Sequence, residues 1–175
     1  MIAERDAEIL PDHCAAEVVV LCCGNVLLGD DGFGPAVAAA LHASSRIPER
    51  AAVVDAGTAV RELLFDILVC DRRPRQLVLV DAVDVGRDPG EVFELELDRF
   101  PKVNVATLSL HQAPTTHLLR EIRDETGVEV TAIVCQIAQR TEEVEDRLSP
   151  AVLRAVAAAA DLIRRRFLDD ESAKE

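Results

Sequence analysis

The chain has 175 residues, a formal net charge of −13, and 49% hydrophobic against 29% charged residues. This length suits a single globular domain with a substantial core. The acidic charge and the absence of Trp and Tyr argue against nucleic-acid binding, because phosphates are bound by clustered Lys and Arg and bases stack on aromatic rings. The sequence shows neither a signal peptide nor an apolar stretch of membrane-spanning length, so we expect a cytoplasmic protein.

Five cysteines, at positions 14, 22, 23, 70 and 135, form no CxxC pair. An odd number of cysteines in an expected cytoplasmic protein favours free thiols over disulfides. Cys22 and Cys23 lie in an apolar run, where cysteine behaves as a small hydrophobic residue. We therefore expect structural thiols.

Strands and helices alternate along the predicted domain. We expect a polar leader at residues 1–16, a single α/β domain at 17–168 and a charged tail at 169–175. Uninterrupted β-branched and apolar runs predict buried strands, whereas alternation of charged and apolar residues predicts an edge strand. Such alternation of strands and helices implies a mostly parallel sheet with helices on both faces. The predicted strands are 17–23, 51–55, 76–81, 91–97 (edge) and 128–138, and the predicted helices are 35–43, 60–70, 113–126 and 150–167.

Acidic residues follow or end three of these strands. Asp30 and Asp31 follow the first strand, Asp55 ends the second and Asp81 ends the third. In open α/β sheets, ligands bind beyond the carboxyl ends of the strands. His111 lies on a later loop before a helix, so carboxylates and an imidazole could converge on one edge. Oxygen and nitrogen ligands of this kind suit a divalent metal that polarises a carbonyl group.

Structural roles compete with this interpretation. Aspartates beside glycines commonly form turns or cap helices, and we favour such a role for Asp30 and Asp55 taken alone. The glycine-rich loop at 24–34 superficially resembles a dinucleotide-binding loop, but its spacing does not fit G-x-G-x-x-G and two aspartates would repel a pyrophosphate. The sequence contains no GxSxG, HExxH or Walker motif, and a Cys–His nucleophile pair has no local signature.

Four segments together resemble the motifs of the [NiFe]-hydrogenase maturation endopeptidases. They keep the order and spacing of that family over residues 18–149. The amino-acid sequence of the first segment is most similar to that of the branch that serves deazaflavin-reducing hydrogenases of methanogens. The segments are Gly-Asn-x-Leu-x-Gly-Asp-Asp-Gly-x-Gly-Pro at 24–35, Asp-Ala-Gly-Thr at 55–58 with Ala56 in place of the usual Gly, Val-Asp-Ala at 80–82 followed by Asp-Pro-Gly-Glu at 88–91, and Ser-Leu-His-Gln at 109–112.

This resemblance implies a fold, an activity and a set of site residues. The implied fold is a three-layer α/β/α structure with a twisted, mostly parallel five-stranded sheet of the phosphorylase/hydrolase-like type. The implied activity is that of an endopeptidase, which recognises nickel in the hydrogenase large-subunit precursor and cleaves off its C-terminal extension. The matching positions are Asp31, Asp81 and His111 for nickel binding and catalysis, and Asp55, Gly57 and Thr58 for substrate recognition.

The resemblance also implies a partner. We expect it to be the [NiFe]-hydrogenase large-subunit precursor, which would itself carry the nickel, and we expect a monomer without nucleic-acid or membrane partners. Asp31, Asp55 and Asp81 are all candidates for the catalytic base. Two alternatives stay open: a protein that checks for nickel without cutting, and a nucleotide-binding α/β protein that uses the 24–34 loop.

Overall fold

The computed structural model describes residues 12–44, 46–98, 112–141 and 143–169. Within these ranges the chain forms five strands, five α-helices, a short 3-10 helix at Gly29–Gly32 and a π-helical turn at Arg164–Leu168. The strands are β1 (Val18–Cys23), β2 (Ala51–Gly57), β3 (Gln76–Val83), β4 (Val92–Glu94) and β5 (Glu129–Gln136), and the helices are α1 (Asp12–Ala15), α2 (Phe33–Ser44), α3 (Val60–Val69), α4 (Gln112–Thr126) and α5 (Pro150–Ile163).

The strands form one sheet in the order β2-β1-β3-β5-β4. Strands β2, β1, β3 and β5 are parallel to one another, and β4 pairs antiparallel with β5 at the edge. The prediction of a mostly parallel five-stranded α/β sheet is therefore confirmed, including the edge position of β4. Of the helices in the described ranges, none combines the length and apolar character that a membrane span requires.

Two apolar layers cover the two faces of the sheet. All six residues of β1 are buried, and successive side chains point to opposite faces because a strand alternates with a period of two. Val20 and Cys22 pack in a core with α2 and α5, whereas Leu21 and Cys23 pack in a second core with α3 and α4. This arrangement gives the three-layer α/β/α architecture.

Two strands continue beyond the aspartates that were predicted to end them. β3 runs past Asp81 to Val83, because Ala82 and Val83 still pair with Cys135 and Gln136 of β5. β2 likewise runs past Asp55 after a register shift in its pairing with β1. Both aspartates consequently lie within their strands, two residues before the last residue of each.

A disulfide between Cys14 and Cys70 links α1 to the residue that follows α3. The expectation of free thiols is wrong for this pair, because the fold brings together two cysteines that lie 56 residues apart, with Cα atoms separated by 6.5 Å. This separation lies within the range that a disulfide spans. The other three cysteines are free and buried. The bounds of the leader and tail stay predictions, although α1 falls inside the predicted leader.

Candidate functional site

The carboxyl ends of β2, β1 and β3 meet at one edge of the sheet, since these three strands are parallel neighbours. The Cys23 thiol lies at the end of β1, and its pKa responds to the charged groups around it. Burial raises the pKa of this thiol well above its usual range, and the nearby groups of Asp81, Cys22, Asp55 and Asp31 raise it further. The structure thus brings all three predicted carboxylates around the end of β1.

Asp81 is the most buried of these three carboxylates, with 7% of its surface exposed. Its Oδ1 accepts a hydrogen bond of 2.8 Å from the backbone N–H of Ala82. Asp81 lines a narrow, mostly apolar cavity together with Thr115 and Thr116 from the first turns of α4. Cations and proton donors are favoured beside a buried carboxylate, because a buried charge is costly unless it is paired.

Asp31 lies in the 3-10 helix that follows β1 and is half-buried. Its Oδ2 accepts a 2.8 Å hydrogen bond from the backbone N–H of Asn25, which ties the loop to the carboxylate. Gly24 makes this close approach possible. It has a φ of +135°, and a Cβ there would lie 1.8 Å from the carbonyl oxygen of Asp31.

Asp30, the neighbour of Asp31, has a structural role. It is 4% exposed, and its two carboxylate oxygens accept hydrogen bonds from the backbone N–H groups of Ala138 (2.8 Å) and Ser149 (2.6 Å). Ser149 is the N-cap of α5, so Asp30 fastens the first loop to the start of that helix. This agrees with the structural interpretation that we favoured for Asp30.

The Asp55–Thr58 segment covers the end of β2 and the first residue after it, beside Gly24. The backbone N–H of Gly57 donates to Asp55 Oδ1 at 3.0 Å, and its carbonyl accepts from the N–H of Gly24 at 2.9 Å. Asp55 is therefore a turn former, as expected, and its side chain and that of Thr58 are also exposed at the carboxyl edge.

His111 lies outside the described residues. The helix α4 begins at the next residue, Gln112, and its Thr115 and Thr116 border the cavity beside Asp81. Within the described ranges, no three His, Cys, Asp or Glu side chains group closely enough to hold a metal ion. Since one of the three predicted ligands is outside those ranges, the ligand set stays a prediction.

The backbone amides of the 24–34 loop are largely occupied by internal hydrogen bonds. A phosphate cradle needs several amides that point toward the ligand, so this loop gives the nucleotide-binding alternative no support. The donors and their acceptors are Gly24 to Gly57 O, Asn25 to Asp31 Oδ2, Leu27 to Asn25 Oδ1, Leu28 to Asn25 O, Gly29 to Glu145 O, and Asp31 to Leu28 O.

Gln136 is a buried polar residue at the end of β5 whose role the sequence analysis missed. Its Oε1 accepts from the backbone N–H groups of Val85 (2.9 Å) and Arg87 (3.1 Å), and its Nε2 donates to Asp84 Oδ1 (3.0 Å). Gln136 therefore holds the loop that leaves β3 just after Asp81. A polar residue that follows the apolar run Ala132–Cys135 was the available signal.

The fold and the site define the structural class of the protein. It is a three-layer α/β/α protein with carboxylates at the carboxyl edge of a mostly parallel sheet. The sequence profile of the hydrogenase maturation protease family matches residues 35–166. The chain belongs to this family, and it is therefore of the hydrolase class. The family predicted from the four motifs is confirmed.

Several relatives are similar over most of the chain. A protein of Methanocaldococcus jannaschii that is named for this family is 30% identical over 148 residues, covering 84% of this chain and 94% of the relative. The coenzyme F420 hydrogenase subunit delta of Methanothermobacter thermautotrophicus is 29% identical, covering 85% and 92%. The hydrogenase 3 maturation protease of Escherichia coli is 31% identical over 109 residues, covering 62% and 66%.

Solved structures of the same family share the fold. The hydrogenase maturating endopeptidase HybD from E. coli is 26% identical and superposes with a TM-score of 0.66, covering 87% of this chain and 95% of that one. A hydrogenase 2 maturation peptidase from a Thaumarchaeota archaeon is 30% identical with a TM-score of 0.57, covering 85% and 96%.

Proposed function

We propose that this chain recognises nickel in the precursor of a [NiFe]-hydrogenase large subunit and cleaves off the C-terminal extension of that precursor. One observation carries the proposal: Asp31, Asp55 and Asp81 lie around the end of β1, through strand pairing at Cys22 and the Asn25 hydrogen bond to Asp31, in a chain of the hydrogenase maturation protease family. An edge rich in carboxylates suits a cationic ligand far better than an anionic one.

In this proposal Asp31, Asp81 and His111 bind a nickel ion that the precursor already holds. The nickel is then part of the substrate, and a precursor without it lacks a recognition element. Two observations on described residues support this ligand set. Asp31 and Asp81 both lie near the Cys23 thiol, and α4, which begins one residue after His111, borders the cavity beside Asp81.

Peptide hydrolysis at this edge requires a base near the scissile carbonyl. A water molecule adds to the carbonyl carbon, a carboxylate accepts the proton of that water, and the amine leaves after receiving a proton. The metal ion of the substrate positions the peptide and polarises its carbonyl. Asp31, Asp55 and Asp81 are the candidate bases. Asp55, Gly57 and Thr58, at the end of β2, contact the substrate chain.

Mass spectrometry of the large-subunit precursor tests this proposal. We expect wild-type protein to shorten nickel-loaded precursor by a C-terminal peptide and to leave nickel-free precursor intact. Asp31→Ala, Asp81→Ala and His111→Ala should each abolish processing, whereas Asp71→Ala, which changes an exposed aspartate just after α3, should not. Normal cleavage by any of the first three variants would remove that residue from the site.

A second candidate is a protein that binds the precursor and checks for nickel without cutting it. One observation favours it, namely that a relative similar over 92% of its length is named as a hydrogenase subunit and not as a protease. Stable binding of nickel-loaded precursor with no change in its mass would support this candidate.

The same relative leads us to propose that the substrate is the precursor of a coenzyme F420-reducing, that is deazaflavin-reducing, hydrogenase. The test offers the protein one precursor from a deazaflavin-reducing hydrogenase and one from another [NiFe]-hydrogenase and compares their cleavage.

A further inference from the structure

Three exposed apolar side chains lie together at the carboxyl edge of the sheet. Val26 is 54% exposed, Leu27 is 51% exposed and Val144 is 79% exposed. Single exposed apolar residues are ordinary on protein surfaces, whereas adjacent ones often mark an interaction site. We call Val26, Leu27 and Val144 the apolar rim.

Backbone hydrogen bonds hold the two halves of the apolar rim side by side. The N–H of Glu145 donates to the carbonyl of Leu27 at 2.8 Å, and the N–H of Gly29 donates to the carbonyl of Glu145 at 2.7 Å. Leu28 and Glu145 thus form a parallel bridge, which makes Val144 the register neighbour of Leu27. These side chains are presented by a structured surface, so little ordering entropy remains to be lost on binding.

The apolar rim is continuous with the candidate site. The Asn25 N–H, one residue before Val26, donates to the Asp31 carboxylate at 2.8 Å. A Cβ added to Gly32 would lie 3.3 Å from the Cα of Val26, so the rim also packs against the residue after Asp31. The apolar rim therefore lies directly beside the loop that carries Asp31.

Acidic side chains surround the apolar rim. The segment that carries Val144 also carries Glu143, Glu145 and Asp146, all exposed, and an exposed arginine stands at each of its ends, Arg140 and Arg147. Arg147 Nε lies 3.9 Å from Asp146 Oδ1, and this exposed pair is screened by water. The surface therefore fits an apolar group flanked by positive charge.

We propose that the apolar rim docks the folded body of the large-subunit precursor, next to the peptide that is cut. The complementary patch on the precursor has an apolar side chain flanked by Lys or Arg. A protein surface suits the rim because Val26, Leu27 and Val144 project outward from two loops, and apolar anchors surrounded by polar groups are typical of protein interfaces. This inference rests on the proposed function, and it adds a docking surface outside the site itself.

Two matched variants test the apolar rim. Val144→Asp places a charge in the rim, and Val69→Asp makes the same change at the end of α3, where Val69 is 57% exposed. With nickel-loaded precursor we expect Val144→Asp to raise KM and Kd about tenfold with kcat within about twofold, as for loss of an interface anchor. Val69→Asp should leave all three constants unchanged, and thermal unfolding of both variants confirms that they fold.

The acidic surroundings predict a second result. The Glu143→Gln and Glu145→Gln double variant should bind the precursor more weakly than wild type at low salt and equally at high salt, because screening removes the attraction. Wild-type KM and Kd for both Val144→Asp and Leu27→Asp would overturn the inference. Wild-type protein that binds the precursor without cutting it contradicts the proposed function alone, since the Kd comparison still decides on the rim; absence of binding contradicts both.

Discussion

Asp30 and Asp31 are consecutive in the chain and serve two different regions of the molecule. The Asp30 carboxylate is buried and accepts backbone hydrogen bonds from residues 108 and 119 positions away. The Asp31 carboxylate is half-buried and accepts from an amide only six positions away, on the edge where Asp55 and Asp81 also lie. A buried carboxylate with distant backbone partners holds the scaffold together, whereas Asp31, at the edge, is the one that we propose as a ligand.

The largest expected effect is on catalysis and comes from Asp31→Asn. Asparagine keeps an oxygen that can accept the Asn25 N–H and removes the negative charge, so folding should survive. We expect the rate of precursor cleavage to fall about ten-thousand-fold, equivalent to about 5.5 kcal/mol of transition-state stabilisation. Single-turnover cleavage measures this rate. Asp30→Asn is the control, and at temperatures where it is folded it should still cleave the precursor. Equal losses of the cleavage rate in both variants would contradict the distinction between the two aspartates.

The next effect concerns a covalent link remote from both aspartates. The Cys14–Cys70 disulfide closes a long loop, with a sequence separation of 56, and the chain-entropy estimate for such a loop is about 4 kcal/mol of stability. Cys14→Ser and Cys70→Ser should therefore lower Tm by about 8–16 °C. Cleavage at 25 °C should stay within about twofold, because Cys70 lies at the opposite end of α3 from the Thr58 turn.

Reduction provides the control for the disulfide. Dithiothreitol should lower the Tm of wild-type protein to that of the serine variants and should not change the variants further. Alkylation of denatured protein should label three cysteines before reduction and all five after it. Five labelled cysteines without reduction would show that the link is absent.

A smaller effect on stability is expected from Asp30→Asn. The amide has one acceptor oxygen where the carboxylate has two, so the N–H of Ala138 or of Ser149 loses its charged, part-buried acceptor. Loss of a hydrogen bond to a charged group costs about 1.5–3 kcal/mol, and urea unfolding should show a loss of that size. Asp71→Asn, at an exposed position, should be within about 0.5 kcal/mol of wild type. Equal stability of the two variants would mean that Asp30 does not anchor the loop.

Local pattern predicted much of this molecule. The apolar runs at 17–23 and 76–81 predicted two buried strands, which the structure confirms as β1 and β3, and the positions of Asp31 and Asp81 after these runs predicted that both lie at the carboxyl edge of the sheet. The four motifs predicted the family. Long-range partners were not predictable in this way: Cys14 finds Cys70, and Asp30 finds Ala138 and Ser149, through packing of the sheet and helices rather than through any local spacing.

The smallest expected effect comes from Gln136→Leu and separates scaffold from site once more. Leucine cannot accept the N–H groups of Val85 and Arg87, but these amides lie in a partly exposed loop where water can replace the lost bonds. We expect a stability loss of about 1 kcal/mol and faster hydrogen exchange at these two amides. Asp81 should keep its place, because its neighbours Ala82 and Val83 remain in the ladder between β3 and β5.

Cleavage by Gln136→Leu should therefore stay within about threefold of wild type. Gln136→Glu is the matched control: its carboxylate can still accept both amides, yet it loses the donor to Asp84 Oδ1 and places two carboxylates in contact. Because like charges repel, we expect the two amides of Val85 and Arg87 to exchange faster in Gln136→Glu than in wild type at neutral pH. The protection of these amides should return at low pH, where one of the two carboxyl groups is protonated. A catalytic loss as large as that of Asp31→Asn would instead show that the loop after β3 belongs to the active site.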